Sequence, residues 1–331
     1  MYPFQYTKAK EASEATATAS RQENSKFLAG GTNLVDLIRR DVVHPDYLID
    51  VSHLDFKTIK AYNGGLRLGA MASNSETAAN KELKEAYPIV SQAILLGASA
   101  QLRNKASNGG NMLQKTRCPY FMSPPFPCNK REPGSGCSAI NGENRLLSIL
   151  GTSEKCIASY PSDMATALTA MDAVIQTRLS DGSERSIPVV DFHLLPEDTP
   201  WKETVLKEGE LITAIDLPEE SKEFAENSYY LKIRDRHSFA FALVSVAAAL
   251  VMESGKITKA RLVLGSVAPK PWRNREAEEM LLGQAPSENL FMEVAEKALE
   301  GAKGFGENDF KIPLAKKGIV RALRIASKSE A

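Results

Sequence analysis

The sequence has 331 residues, a length that suggests two domains or one large domain with an insertion, burying roughly 75% of the unfolded chain's surface. Its 41 basic and 41 acidic residues balance, so it lacks the positive field that nonspecific binding to nucleic acid or anionic membrane requires. No apolar run approaches the roughly 20 residues of a membrane span, and no signal-peptide pattern opens the chain. We expect small molecules and proteins as partners and, for the chain alone, a cytoplasmic location.

The first hundred residues alternate between helical and extended patterns. Apolar residues recur at helical spacing in three segments, and short apolar runs indicate strands between them. The predicted helices are residues 11–20, 34–38 and 87–100, and the predicted strands are residues 26–29, 47–51 and 66–70. The chain therefore begins with a helix, a strand, a glycine turn and a second helix.

Residues 116–157 interrupt this regular pattern. The segment is rich in Pro, Gly and Asn, with four prolines between Pro119 and Pro127. It also holds every cysteine of the chain: Cys118, Cys128, Cys137 and Cys156. An irregular segment this long inside a domain is usually functional.

Regular patterns resume after the cysteine-rich segment. We predict strands at residues 156–158 and 211–217, a helix at Asp163–Met171, and a hairpin of residues 174–178 and 184–189 turned at Asp181-Gly182. The charged stretch EESKEFAEN then indicates a domain boundary. The second domain is predicted to contain strands 229–233, 242–252 and 257–267 and helices 275–282, 289–300 and 313–325. Strands followed by helices indicate an α+β fold.

Two glycine pairs are candidate phosphate sites. The first lies in Lys26, Phe27, Leu28, Ala29, Gly30, Gly31, Thr32, Asn33 and Leu34, where Thr32 or Asn33 is a candidate N-cap. The second is Asn108, Gly109, Gly110 and Asn111, in a basic stretch. Glycines let a phosphate approach the main chain, and a helix N-terminus favours its charge. Neither pair forms a GxGxxG or Walker motif, so plain turns remain the alternative.

The four cysteines fit three kinds of site: zinc, two disulfides, or an iron–sulfur cluster. The short CxxC pairs typical of zinc are absent, and no export signal supports disulfides. Five of the cations in and beside the segment would offset an anionic cluster: Lys115, Arg117, Lys130, Arg131 and Arg145. The cluster is the favoured interpretation. The four dispersed histidines form no metal-binding or catalytic spacing, so reactivity is expected from bound cofactors.

Five segments together resemble the FAD subunits of the molybdenum hydroxylases, the xanthine dehydrogenase family. They are KFLAGGTNL (26–34), GASAQLRNKASNGGNMLQKTRCPYF (97–121), PCNKREPGSGC (127–137), SYPSDMATAL (159–168) and YYLKIRDRHSFAFALVSVAAAL (229–250). The likeness runs to about Ile325. It is most specific between Cys118 and Cys137, where the sequence resembles members that carry an added [4Fe-4S] cluster.

The resemblance implies a PCMH-type FAD-binding domain of two α+β subdomains at residues 1–224, with the cysteine-rich segment inserted. A C-terminal domain with a three-stranded antiparallel sheet and helices would occupy residues 225–331. Both glycine motifs would hold the FAD pyrophosphate, with Asn108 offering a side-chain donor. Asp163 would lie near the ribityl and adenosine part, and Lys232 and Ile212 near the isoalloxazine ring. Cys118, Cys128, Cys137 and Cys156 would ligate the cluster.

The resemblance also implies an electron-transfer subunit that does not turn over substrate alone. Its partners would be a molybdenum-cofactor subunit that oxidises an aldehyde or N-heterocycle, a [2Fe-2S] subunit, and an external electron acceptor. Export to the periplasm as the passenger of a twin-arginine-bearing partner is a second possible location. Two other functions stay open: a docking subunit with a structural zinc or disulfide loop, and an independent FAD oxidase, which the absence of an acid/base constellation disfavours.

Overall fold

A small parallel sheet begins the fold in the computed structural model, which describes residues 2–328. Its strands are β1 (Gln5–Lys8), β2 (Ser25–Leu28) and β3 (Tyr47–Asp50), in the order β1-β3-β2. Helices α1 (Ala12–Arg21) and α2 (Leu34–Arg39) connect them. α1 buries one face, the alanines at 12, 15 and 19, against Ile49 and Val51. The predicted order of helix, strand, glycine turn and helix is confirmed, and β1 precedes it.

A five-stranded antiparallel sheet forms the second subdomain. The strands are β4 (Ile59–Tyr62), β5 (Gly65–Gly69), β6 (Val174–Arg178), β7 (Glu184–Pro188) and β8 (Leu211–Leu217), in the order β4-β5-β8-β6-β7. Its helices are α3 (Asn74–Ala79), α4 (Lys81–Ala86), α5 (Pro88–Leu96), α6 (Ala100–Arg103), α7 (Asn108–Met112), α8 (Asp163–Ala170) and α9 (Val189–Phe192). The hairpin β6–β7 and strand β8 agree with the sequence prediction. The predicted helix 87–100 instead ends at Leu96, and Ala98 takes a positive φ of 46° before α6 begins.

A second antiparallel sheet and three helices form the C-terminal domain, after a 3-10 helix at Glu219–Phe224. The strands are β9 (Ser228–Ile233), β10 (Val244–Glu253), β11 (Lys256–Gly265) and β12 (Trp272–Arg273), in the order β12-β11-β10-β9. The helices are α10 (Arg275–Glu279), α11 (Glu288–Ala298) and α12 (Lys311–Ala326). The predicted α+β fold is confirmed, and β12 adds a two-residue fourth strand to the expected three.

The cysteine-rich segment runs between α7 and α8 without regular helix or strand. The strand predicted at residues 156–158 is wrong, because Cys156 makes only an isolated bridge with Ser153. Side chains of the C-terminal domain hold the segment in place by hydrogen bonds. The Asn308 amide donates to Ser148 O (3.0 Å), and the buried Lys311 ammonium donates to Leu147 O (2.9 Å). Polar contacts to main-chain carbonyls therefore replace the hydrogen bonds of regular structure.

Among residues 2–328, no helix combines the length and the apolar composition needed to cross a membrane.

Candidate functional site

A cleft of about 680 Å³ lies where the two glycine motifs, the end of α8 and the C-terminal domain meet. From the first motif it is lined by Lys26, Phe27 and every residue from Ala29 to Leu34. From the second motif it is lined by Gly109, Gly110 and Asn111, and from elsewhere by Asp163, Ile212 and Lys232. Residues far apart in the sequence thus share one cavity large enough for a nucleotide cofactor. Leu28 and Asn108 do not line it.

The turn of the first glycine motif packs closely against the loop that precedes the second glycine motif. A Cβ on Gly30 would lie 1.7 Å from the carbonyl oxygen of Lys105, so only glycine fits there. Gly31 has a φ of +72°, which turns the chain from β2 into α2. Asn33 is the N-cap of α2 without a side-chain cap bond; its Oδ1 accepts from the Lys115 N–H instead (3.0 Å). The two motifs are therefore one structural unit.

The second motif forms the short helix α7. Its N-cap is Ser107, whose Oγ accepts from the Gly110 N–H (3.1 Å). The Gly109 N–H donates to Ala70 O (2.8 Å), and a Cβ there would lie 3.2 Å from that of Ala70. Glycine thus lets α7 pack against the end of β5 and leaves its other side facing the cleft.

Asn108, predicted from the sequence as a phosphate donor, supports α7 from its buried side. The side chain is fully buried, and its Oδ1 accepts from the Asn74 amide (3.1 Å) and the Thr77 hydroxyl (3.0 Å). Its own amide donates to Gly69 O (3.1 Å). Asn108 does not line the cleft, and these hydrogen bonds position α7.

Asp163 and Lys232 form a buried ion pair in the wall of the cleft. Lys232 Nζ lies 2.7 Å from Asp163 Oδ2, with side chains only 1% and 7% exposed, and it also donates to Leu96 O (3.0 Å). The Tyr230 hydroxyl donates to Asp163 Oδ1 (2.9 Å). Asp163 begins α8 and Lys232 belongs to β9. The two domains therefore build this wall together.

Positive charge collects at the glycine end of the cleft. Burial lowers the pKa of Lys26, and the nearby Lys115 ammonium lowers it further, so the two cations repel each other. Lys115 and Lys130 both pair with the carboxylate of Glu203. Burial would raise the pKa of Glu203, but these two ammonium groups outweigh it and hold that pKa at about 2. Glu208 also lines the cleft and partly offsets Lys26, so three lysines face two carboxylates and a net positive charge suited to a diphosphate remains.

The four cysteines gather at one small apolar core. Cys118 and Cys156 are each 5% exposed and belong to that core, and the half-buried Cys128 and Cys137 pack against it. The backbones of Cys128 and Cys137 pair in an isolated antiparallel bridge. All four thiols are free. Residues spread over 39 positions of an irregular segment therefore pack in or against one apolar core.

Backbone N–H groups and one cation surround the thiols. The Ala158 N–H donates to Cys156 Sγ (3.5 Å), and the N–H groups of Phe121 and Tyr120 point at the Cys118 thiol. Burial raises the pKa of Cys156 to about 11, which the Lys130 ammonium opposes, and burial raises that of Cys118 to about 12. Within residues 2–328, no three His, Cys, Asp or Glu side chains already adopt the arrangement of a metal site.

Three residues of the cleft wall were not predicted from the sequence. Glu203 lies in a stretch without periodicity, and nothing local signals its two lysine partners. The Tyr160 hydroxyl (3.0 Å) and His193 Nε2 (2.9 Å) both reach Met112 O at the end of α7. Because that partner is a carbonyl, Nε2 carries the hydrogen; burial lowers the pKa of His193 to about 4, so the ring is neutral at pH 7. Both side chains therefore hold the C-terminal end of α7 in place by hydrogen bonds.

Family models match both domains of the chain. Residues 2–220 match the family described as the FAD binding domain in molybdopterin dehydrogenase. Residues 229–326 match the CO dehydrogenase flavoprotein C-terminal domain. The fold resembles a solved carbon monoxide dehydrogenase from Hydrogenophaga pseudoflava, with a TM-score of 0.77 at 22% identity and complete coverage of both chains.

Individual relatives cover nearly the whole chain. The sequence is 44% identical over 326 residues, 98% of each protein, to the aldehyde oxidoreductase FAD-binding subunit PaoB of Escherichia coli (strain K12). It is 27% identical to the glyceraldehyde dehydrogenase medium chain of Sulfolobus acidocaldarius, over 90% of this chain and 88% of that one. The chain therefore belongs to the FAD-binding subunits of the molybdenum hydroxylase family.

Proposed function

We propose that this chain is the FAD- and [4Fe-4S]-containing electron-transfer subunit of a molybdenum-dependent aldehyde oxidoreductase. It would receive electrons from a [2Fe-2S] subunit and deliver them to an external acceptor, while a molybdenum-cofactor subunit oxidises the substrate. The observation that carries the proposal is the convergence of two features. A diphosphate-compatible cleft and a core of four thiols share one wall, which contains Lys130.

The cleft suits FAD through the chain's own residues. Gly30, Gly31, Gly109 and Gly110 expose main chain at the end where Lys26 and Lys115 supply positive charge, so the pyrophosphate would lie there. At the other end, Ile212 offers an apolar wall and the Asp163–Lys232 pair offers fixed charges. When bound, FAD supplies the redox chemistry. The protein's part is to bind, orient and shield it.

The cysteine core suits an iron–sulfur cluster in its donor chemistry. Two thiols lie in one apolar core and two pack against it, which supplies the four thiolate donors of such a cluster, and N–H groups point at the sulfurs of Cys118 and Cys156. Since metal binding commonly orders its own ligands, the thiols would close to ligand geometry as the cluster is inserted. The proposed ligands are Cys118, Cys128, Cys137 and Cys156.

The aldehyde substrate class rests on the 44% identity with PaoB, whose name specifies an aldehyde oxidoreductase. The test is to purify the chain with the subunits that accompany it and to measure FAD, iron, labile sulfide, zinc and molybdenum. We expect FAD and about four irons in this chain, and molybdenum in a partner.

Replacing one proposed ligand separates the two cofactors. We expect Cys128→Ser or Cys137→Ser to lose iron and sulfide while keeping FAD, because neither side chain lines the FAD cleft. Ser138→Ala, in the same loop, is the control and should keep both. Zinc in place of iron, or no metal in the wild type, would contradict the cluster and favour a structural loop.

A further inference from the structure

The five cations singled out in and beside the cysteine-rich segment have different partners in the structure. Arg117 binds Asp36 (2.9 Å), Arg145 binds Asp235 (2.8 Å), Lys115 binds Glu203, and Arg131 holds the main-chain carbonyls of Tyr120 (2.6 Å) and Phe121 (2.9 Å). Three of these four are neutralised by a carboxylate, and Arg131 is committed to the shape of the loop. The fifth cation, Lys130, also pairs with a carboxylate, and its side chain is far more buried than those of Lys115, Arg117 and Arg145.

Lys130 lies buried beside the thiols. Its side chain is 8% exposed, and its Nζ lies 3.0 Å from Glu203 Oε1 and 3.0 Å from the carbonyl oxygen of Pro200. In the chain it follows Cys128 by two residues, which places its charge close to the cysteine core. The same side chain lines the FAD cleft. One ammonium group thus faces both proposed redox sites.

Glu203 fixes that ammonium group in place. Its two carboxylate oxygens are divided between Lys130, from the cysteine loop, and Lys115, which follows α7 and hydrogen-bonds the first glycine motif through its main chain. The Lys130 ammonium is thus compensated by a carboxylate and a carbonyl oxygen, each at 3.0 Å, inside the protein. A buried charge held this way has little freedom to turn into solvent.

We propose that Lys130, positioned by Glu203, is the fixed positive charge that sets the reduction potential of the iron–sulfur cluster relative to the flavin. This inference rests on the proposed function. Reduction adds one negative charge to a cluster, and a buried cation nearby stabilises the reduced form, because charges are poorly screened in the interior. Removing Lys130 should therefore lower the cluster potential. Removing its counter-charge at Glu203 should raise it.

The experiment is a redox titration of the purified complex, with the cluster followed by electron paramagnetic resonance and the flavin by absorbance. We expect a lower cluster potential in Lys130→Met, a higher one in Glu203→Gln, and a near-native one in Lys130→Arg, which keeps the charge. Lys155→Met is the matched control. Lys155 precedes Cys156 directly but is half-exposed and pairs with exposed Asp198, so solvent screening should leave the potential almost unchanged.

The outcomes separate this inference from the proposed function. Wild-type complex without iron and sulfide contradicts the cluster, and the inference with it. Clusters present in all variants but with equal potentials overturn the inference alone. Shifts of the cluster potential in the same direction in Lys130→Met and Glu203→Gln also overturn it. The two substitutions remove opposite charges and should shift the potential in opposite directions, whereas a structural disturbance has no reason to change direction between them. If Lys130→Met does not fold, Lys130→Arg and Glu203→Gln still give the two required comparisons.

Discussion

At the scale of single residues, Gly30 shows how the sequence encodes the site. The pair Gly30-Gly31 was recognisable as a turn before a helix, and the phosphate interpretation rested on that turn, on the helix N-terminus and on the family resemblance. The sequence did not reveal that Gly30 faces the Lys105 carbonyl, because a close approach between chain segments 75 positions apart leaves no local pattern. Likewise, the ion pair of Asp163 and Lys232 depends on the meeting of two domains.

We expect Gly30→Ala to weaken FAD binding by about 10- to 100-fold, because the methyl group would push the two glycine motifs apart at a strain cost of about 1–3 kcal/mol. The measurement is the FAD dissociation constant by fluorescence. Gly255→Ala is the control: its φ is +77° in an open turn, so it should lose about 1–2 kcal/mol of stability and keep the flavin. Native affinity in Gly30→Ala would show that the two motifs do not act as one unit.

At the scale of elements, the long periodic helices and strands were predictable and the short connecting ones were not. β10, β11, α11 and α12 carry enough apolar residues for their period to be read. Helix α7 has only five residues, two of them glycine, so propensity argues against it. It forms because Ser107 caps it, Tyr160 and His193 hold its last carbonyl, and Asn108 anchors its buried side.

Asn108→Ala tests this anchoring. It would leave the Asn74 amide, the Thr77 hydroxyl and the Gly69 carbonyl without their buried partner, at a cost of about 3 kcal/mol in the free energy of unfolding. We also expect loss of FAD on gel filtration, since α7 lines the cleft. Asn80→Ala removes an N-cap of α4 away from the cleft and should cost about 1 kcal/mol without loss of flavin. Equal flavin retention in both variants would refute the anchoring role.

At the scale of the whole molecule, charged side chains join the two domains. Asp172, just after α8, pairs with Arg273 of β12 and with Arg261 of β11 (2.8 Å). Arg273 is 1% exposed and also binds Glu278 (2.7 Å). The α+β class followed from the order of patterns along the chain. These ion pairs could not be predicted from the sequence, because the folded geometry decides which of the many charged residues become partners.

Arg273→Met should therefore destabilise the protein strongly. Two carboxylates would lose a buried partner, and we expect a loss of about 3 kcal/mol in the free energy of unfolding, measured with urea. Lys259→Met provides the comparison. Lys259 pairs with Glu223 across the domains at 2.7 Å, but this pair is more exposed and should contribute less than about 1 kcal/mol. Similar losses in both variants would mean that burial of the pair does not decide its contribution.

The wall shared by Asp163 and Lys232 has a consequence for the loaded protein. A cofactor that contacts both domains stabilises the interface between them, because the domains cannot separate without losing its binding free energy. A free FAD concentration of 100 times its dissociation constant adds about 2.7 kcal/mol to the free energy of unfolding. The flavin would thus strengthen the joint between the domains as well as carry electrons, and the empty subunit would begin to open there.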